Sequence, residues 1–198
     1  MIHHPIEQKK KVAEILFEQF GVGKLFFGTA PILSSYSFGK TTATILESGY
    51  GLTQIACICN GYKIESSMDY VRFASQDVNR QLQQLLKERG IHINSSSREQ
   101  ILDEIKREIC SVYKTRQNMK ARRQEGGNGA FTLPDGREVE LGEETRLAAE
   151  VLFTPQLGGF SARGLGDLLY STVEELGVDL KRLMFKNVVL SGGNLCIP

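Results

Sequence analysis

A β-branched run, Thr41-Thr42-Ala43-Thr44-Ile45-Leu46-Glu47, is followed across Ser48-Gly49-Tyr50-Gly51 by a second strand-forming run from Leu52 to Cys59. Two such runs around a short glycine-bearing connection form a hairpin, and this restricts the fold more than any other feature of the chain. What surrounds the hairpin is a mixture of strands and helices. Val12, Ile15, Leu16 and Phe20 fall at helical spacing and Gly21 stops them, so the pattern predicts a helix from Ile6 to Phe20. Leu25 to Ala30 reads as a short buried strand, and Pro31 starts a brief helix carrying Leu33 and Tyr36 to Gly39. Asn60-Gly61 makes a second turn, with a weaker strand signal from Tyr62 to Phe73.

Two helices follow. Asp77 to Arg89 places Val78, Leu82, Leu85 and Leu86 on one face and stops at Gly90. The next opens with the capping box Ser96 and Glu99 and carries Ile101, Ile105, Ile109 and Val112. Lys114 to Arg123 is basic, gives way to Gly126-Gly127-Asn128-Gly129, and reads as an exposed excursion with a solvated face. Phe131 to Leu141 is a hairpin built on Pro134-Asp135-Gly136. A helical patch at Glu143 to Phe153, an amphipathic helix carrying Leu165, Leu168, Leu169, Val173 and Leu176, and a strand at Val188-Val189-Leu190 complete the order. The class is α/β.

Composition narrows the function. Lys+Arg number 24 and Asp+Glu 23, for a net charge of +1. That balance supplies no field for gripping nucleic acid or an anionic membrane, and neither is expected as a direct partner. No apolar run approaches the roughly 18 residues that a membrane helix needs. Cys57, Cys59, Cys110 and Cys196 lack CxxC spacing, and His3, His4 and His92 complete no zinc pattern beside them. Free thiols in a reducing compartment follow, with Cys57 and Cys59 on one strand face as core residues. Met1 runs almost directly into a helix, and Pro198 ends the chain just after a glycine turn, which reads as a partial or shortened chain.

Chemistry concentrates at two strand-to-glycine junctions, Glu47-Ser48-Gly49-Tyr50-Gly51 and Leu190-Ser191-Gly192-Gly193. Glycine at a strand end lets main-chain N–H groups approach an anion without a Cβ in the way. Each alone is also an ordinary turn. Together with Leu190-Ser191-Gly192-Gly193, the segments Asn60-Gly61-Tyr62, Glu88-Arg89-Gly90, Leu133-Pro134-Asp135-Gly136 and Leu152-Phe153-Thr154-Pro155 stand in the order and approximate spacing of actin. Leu16-Phe17-Glu18-Gln19-Phe20 and Ser37-Phe38-Gly39-Lys40-Thr41-Thr42 resemble two further actin segments. The chain thus resembles the second half of an actin-family protein over nearly its whole length.

The resemblance implies a partial actin-like fold, of the actin, sugar-kinase and heat-shock-chaperone ATPase type. Residues 1–38 would be a remnant of actin subdomain 1, 39–73 and 154–198 subdomain 3-like, and 74–153 subdomain 4-like. It also implies an ATP/ADP site with Mg2+. Ser48, Gly49, Tyr50 and Gly51 would be its second phosphate loop, Gly192 and Gly193 would sit beside the α-phosphate and adenosine, and Asn194 to Ile197 would flank the base. Lys106 falls where actin has a nucleotide-contacting lysine; read without the resemblance it is an ordinary solvated lysine.

Departures from the family pattern set the functional expectation. Glu47 and Tyr50 replace two aspartates that organise the metal shell and the attacking water, leaving Glu47 as the remaining metal-side carboxylate. Ala30 replaces the water-orienting glutamine and Gln54 a nearby histidine. Arg107 stands for a ribose-contacting glutamate, Ser75 for a pocket-wall glycine and Ile197 for the aromatic residue on adenine. The expectation is an actin-related structural or scaffolding protein of the cytoskeleton with a degenerate, non-hydrolysing cleft. Its partners would be actin or actin-related subunits or actin-binding proteins, in the cytoplasm with the nucleus as alternative. The competing readings are an ATP-hydrolysing filament subunit and a non-functional fragment of one.

Overall fold

The computed structural model of the chain describes residues 5–93, 97–113 and 129–198. They form two compact units, each built from separated stretches of chain. The first comprises Met1–Glu47, Gln54–Asp69 and Ser171–Leu190; the second comprises Ser48–Thr53, Tyr70–Tyr170 and Ser191–Pro198.

A four-stranded sheet organises the first unit. Its strands are β1 (Ala43–Ser48), β2 (Thr53–Cys59), β3 (Tyr62–Val71) and β6 (Val188–Ser191), in the order β3-β2-β1-β6. The β2–β3 turn has Asn60 at φ 52° and Gly61 at φ 82°, two positive values that a tight hairpin turn demands and that asparagine and glycine tolerate best. A Cβ on Gly61 would also lie 2.9 Å from the Tyr36 hydroxyl.

Strand β2 shows why the sheet is stable. Its alternate residues feed opposite faces, as strand geometry requires. Ala56 and Ile58 join Ala43, Ile45 and Val189, with Ile32 and Met68 packed against them. Cys57 joins Val173, Leu176 and Met184, with Cys59, Ile64 and Leu180 alongside. Both faces are therefore covered, by helix α2 (Ala30–Ser37) on one side and by residues from the end of α6 (Leu165–Glu174) through α7 (Val178–Lys186) on the other. Each fully buried isoleucine contributes about 1.5–3 kcal/mol relative to exposure. Edge strand β3 is only partly buried.

Three expectations for this unit need correction. The helix from Ile6 to Phe20 is α1 (Ile6–Glu14) continued by a five-residue π-helix, Ile15–Gln19, where the Phe20 N–H reaches back to the Ile15 carbonyl at 3.3 Å. Its apolar stripe is not buried: Phe17 is 46% and Phe20 71% exposed. Leu25 to Ala30 forms no strand, because it joins neither edge of the sheet; Phe26 is 87% exposed. Helix α7 has no counterpart in the sequence reading, although it carries Val178, Leu180, Leu183, Met184 and Phe185; of these Met184 alone is buried.

The second unit is helical with one small hairpin. Helix α3 (Ser75–Glu88) packs against α4 (Arg98–Glu108) and α5 (Glu144–Glu150). Val78, Leu82 and Leu86 of α3 and Ile101, Leu102 and Ile105 of α4 are buried, and Arg89 pairs with Glu144. Helix α3 starts before Asp77, whose carboxylate accepts the Ala74 N–H at 3.0 Å and so serves the third-residue half of a capping box. The Ser96 half of the other expected box lies outside the described residues, as do Lys114–Arg123 and Gly126–Asn128. Strands β4 (Gly129–Thr132) and β5 (Glu138–Leu141) pair antiparallel with Phe131 opposite Val139. Gly136 closes their turn at φ 83°. No helix among the described residues is long and apolar enough to cross a membrane. All four cysteines are free thiols.

Candidate functional site

The hairpin tip Ser48–Thr53 belongs to the second unit and is fixed there from two directions. The Gly49 N–H closes the turn on the Leu52 carbonyl at 3.0 Å. The first amides of α3, which have no partner inside their own helix, donate to the tip: Ser75 N–H to the Gly49 carbonyl at 3.2 Å and Gln76 N–H to the Tyr50 carbonyl at 2.8 Å. Gly51 at the apex meets nothing within 4 Å of where a Cβ would stand.

The second junction presses against the first. Gly192 has φ 95°, and a Cβ there would run into the main-chain carbonyl of Ser48, so this contact requires glycine. Asn194 is 3% exposed, and its Nδ2 donates to Ser48 Oγ at 2.9 Å. Ser48 Oγ lies 2.7 Å from Thr53 Oγ1, which donates to the Phe73 carbonyl at 2.7 Å. Each hydroxyl has one proton, so the directions are fixed: Asn194 donates to Ser48, Ser48 to Thr53, and Thr53 to Phe73. Asn194 Oδ1 is left buried with no partner among the described residues. Buried acceptors are nearly always satisfied, so this atom invites a donor.

A cavity of about 420 Å³ opens beside these groups. Gly49, Tyr50, Gly193 and Asn194 line it from the junctions, Ser75 from α3, and Asp103, Lys106 and Arg107 from α4. Lys106 is 4% exposed, not solvated. Its ammonium donates to Ser75 Oγ, to Asn79 Oδ1 at 3.1 Å and to Asp103 Oδ1 at 2.6 Å. An ammonium has three protons, and all three are committed. Desolvation works against ionising Asp103, but hydrogen bonds from Lys106 and Asn79 outweigh it and hold the carboxyl below its usual range. Asn79 Nδ2 also reaches Glu99 Oε2 at 3.2 Å, and the Tyr50 hydroxyl donates to the same oxygen at 3.3 Å. Desolvation and the Glu99 carboxylate together push the Tyr50 phenol up, so it is neutral at physiological pH.

The sequence-predicted residues Ser48, Gly49, Tyr50, Gly51, Lys106, Gly192, Gly193 and Asn194 all lie in this unit, and five of them line the cavity. Glu47 belongs to the other unit, where its carboxylate accepts from Ser34 Oγ and, at 2.6 Å, from Gln54 Nε2. Sequence reasoning missed Asn79 and Asp103. The three-residue spacing of Asp103 and Lys106 on a helix was the signal for one; Asn79 gave none. A larger open groove, about 790 Å³ between Arg72 and Arg163, contains none of the expected residues.

Comparison with known proteins agrees with the landmark pattern. The family model "Actin" matches residues 1–198. Centractin of Saccharomyces cerevisiae (strain ATCC 204508 / S288c) is 31% identical over 194 residues, covering 96% of this chain and 50% of that protein. The chain therefore spans half the length of this relative. A family match along the whole chain, on an α/β fold whose two glycine junctions meet in one unit, establishes that the chain belongs to the actin family.

Proposed function

We propose that the chain is an actin-related structural or scaffolding subunit of the cytoskeleton whose nucleotide cleft is degenerate: able to hold a nucleotide, unable to hydrolyse one. One observation carries this reading. The cleft lysine Lys106 is occupied by Ser75, Asn79 and Asp103, and the position of a family metal-shell aspartate is filled by a neutral phenol, Tyr50, tied to Glu99. Phosphoryl transfer rests on positioned charge, and these groups present little of it to a bound phosphate.

The residues fit a nucleotide better than they fit its metal. The Asn194 Oδ1 acceptor and the close Gly192–Ser48 approach suit a ligand bearing hydroxyl or amine donors beside main chain. On this reading Ser48 to Gly51 face the phosphates, Gly192 and Gly193 the adenosine side, and Asn194 the base and ribose. A bound magnesium ion would neutralise phosphate charge and orient water. Glu47, the carboxylate expected for that metal's shell, does not fit the role, because Ser34 and Gln54 already engage both of its oxygens.

In the same reading residues 1–38 correspond to actin subdomain 1, 39–73 and 154–198 to subdomain 3, and 74–153 to subdomain 4. The partners are actin or actin-related subunits, in keeping with the similarity to centractin, and the location is the cytoplasm. Co-sedimentation and pull-down with tagged chain test the assembly role. Recovery of defined actin-family partners is expected; a chain that recovers none while turning over ATP would overturn it.

A further inference from the structure

The cavity of the second unit has three ionised lining groups, Lys106, Asp103 and Arg107. Lys106 and Asp103 neutralise each other at 2.6 Å, so its net positive charge is carried by Arg107. Arg107 is exposed on α4, and its Nε donates to the Asp103 main-chain oxygen at 3.3 Å. Building on the nucleotide reading above, we infer that this cavity takes its nucleotide without a divalent cation, the Arg107 guanidinium meeting the ligand's anionic end and Asn194 Oδ1 accepting from a ligand hydroxyl or amine.

The donor chemistry argues against the metal. Magnesium needs hard oxygen ligands in near-octahedral array and keeps several waters. The lining carboxylate, Asp103, already receives Asn79 and Lys106 on one oxygen, and a cation beside it would face the Lys106 ammonium. Glu99 receives Tyr50 and Asn79 on one oxygen. Among the described residues no group of three or more His, Cys, Asp or Glu is placed to hold a metal ion. A guanidinium does the opposite job directly: it is permanently charged, planar, and matched to two phosphate oxygens at once. A volume of about 420 Å³ lies within the range of small-molecule sites.

Fluorescence anisotropy of a labelled ADP analogue, titrated with the full chain in excess EDTA and again in excess magnesium, tests this. The expected Kd is the same within about twofold in both buffers, and R107E weakens it at least about tenfold in both. R107Q provides a second variant should R107E disturb folding, which circular dichroism would reveal. Binding that requires magnesium overturns the inference. Metal-independent binding that survives R107E and R107Q overturns the role of Arg107. Absence of binding in either buffer overturns the retained-cleft reading itself as well.

Discussion

The sheet of the first unit and the polar lattice around Lys106 in the second are held by opposite means. In the sheet, Ile45, Ile55 and Ile58 are fully buried among apolar neighbours, and each contributes by leaving water. In the lattice, Lys106, Asn79 and Asp103 offset their own desolvation with one another's hydrogen bonds, so the net gain is small while the cost of removing any member is large. The sheet tolerates conservative change of size and shape. The lattice tolerates coordinated replacement and little else.

Substitutions can break that contrast. Ile45→Ala leaves a cavity between covered sheet faces and is expected to lower unfolding free energy by about 4 kcal/mol, read from urea midpoints. Lys106→Met strands Asn79 and Asp103 and is expected to cost about 3 kcal/mol, toward the low end for a broken buried pair because the Asp103 side chain is 37% exposed. Replacing Lys106 and Asp103 together, by Met and Leu, should recover part of that loss. A double variant less stable than the sum of the single changes would contradict the lattice account.

Acid titration sharpens the comparison. Because the folded protein holds Asp103 below its usual pKa, the unfolded chain binds its proton first on acidification. The stabilisation from this group is therefore present above about pH 4 and is lost as pH falls through the folded value. Asp103→Asn should flatten the loss of stability on acidification below about pH 4. An unchanged slope would remove Asp103 from the lattice. The smallest effect is expected for Tyr50→Phe, whose hydroxyl bond to Glu99 is exposed; denaturation midpoints should not move measurably.

The two regions also differ in how far their sequences can be read. The strand-forming run Leu52–Cys59, the Asn60-Gly61 turn and the stripes of α3 and α4 follow from periodicity and backbone preference alone, and the sheet and helices stand where those signals point. Periodicity reports that a segment is apolar, not what covers it. That is why Leu25 to Ala30 reads as a buried strand although Phe26 lies exposed. The site is less legible still. Glycine junctions are visible as glycine, but the meeting of Gly192 with Ser48 joins residues far apart in the chain, and Lys106 looks like any surface lysine until Ser75, Asn79 and Asp103 enclose it. The family resemblance marked Lys106; local pattern did not.

The central claim is a cleft that keeps its shape and has lost its catalysis. Phosphate release from ATP, measured with the purified chain and magnesium beside the Glu47→Ala variant, tests it most directly. The account expects both proteins to match the protein-free background. Turnover above that background in the parent chain, falling on Glu47→Ala, would contradict it.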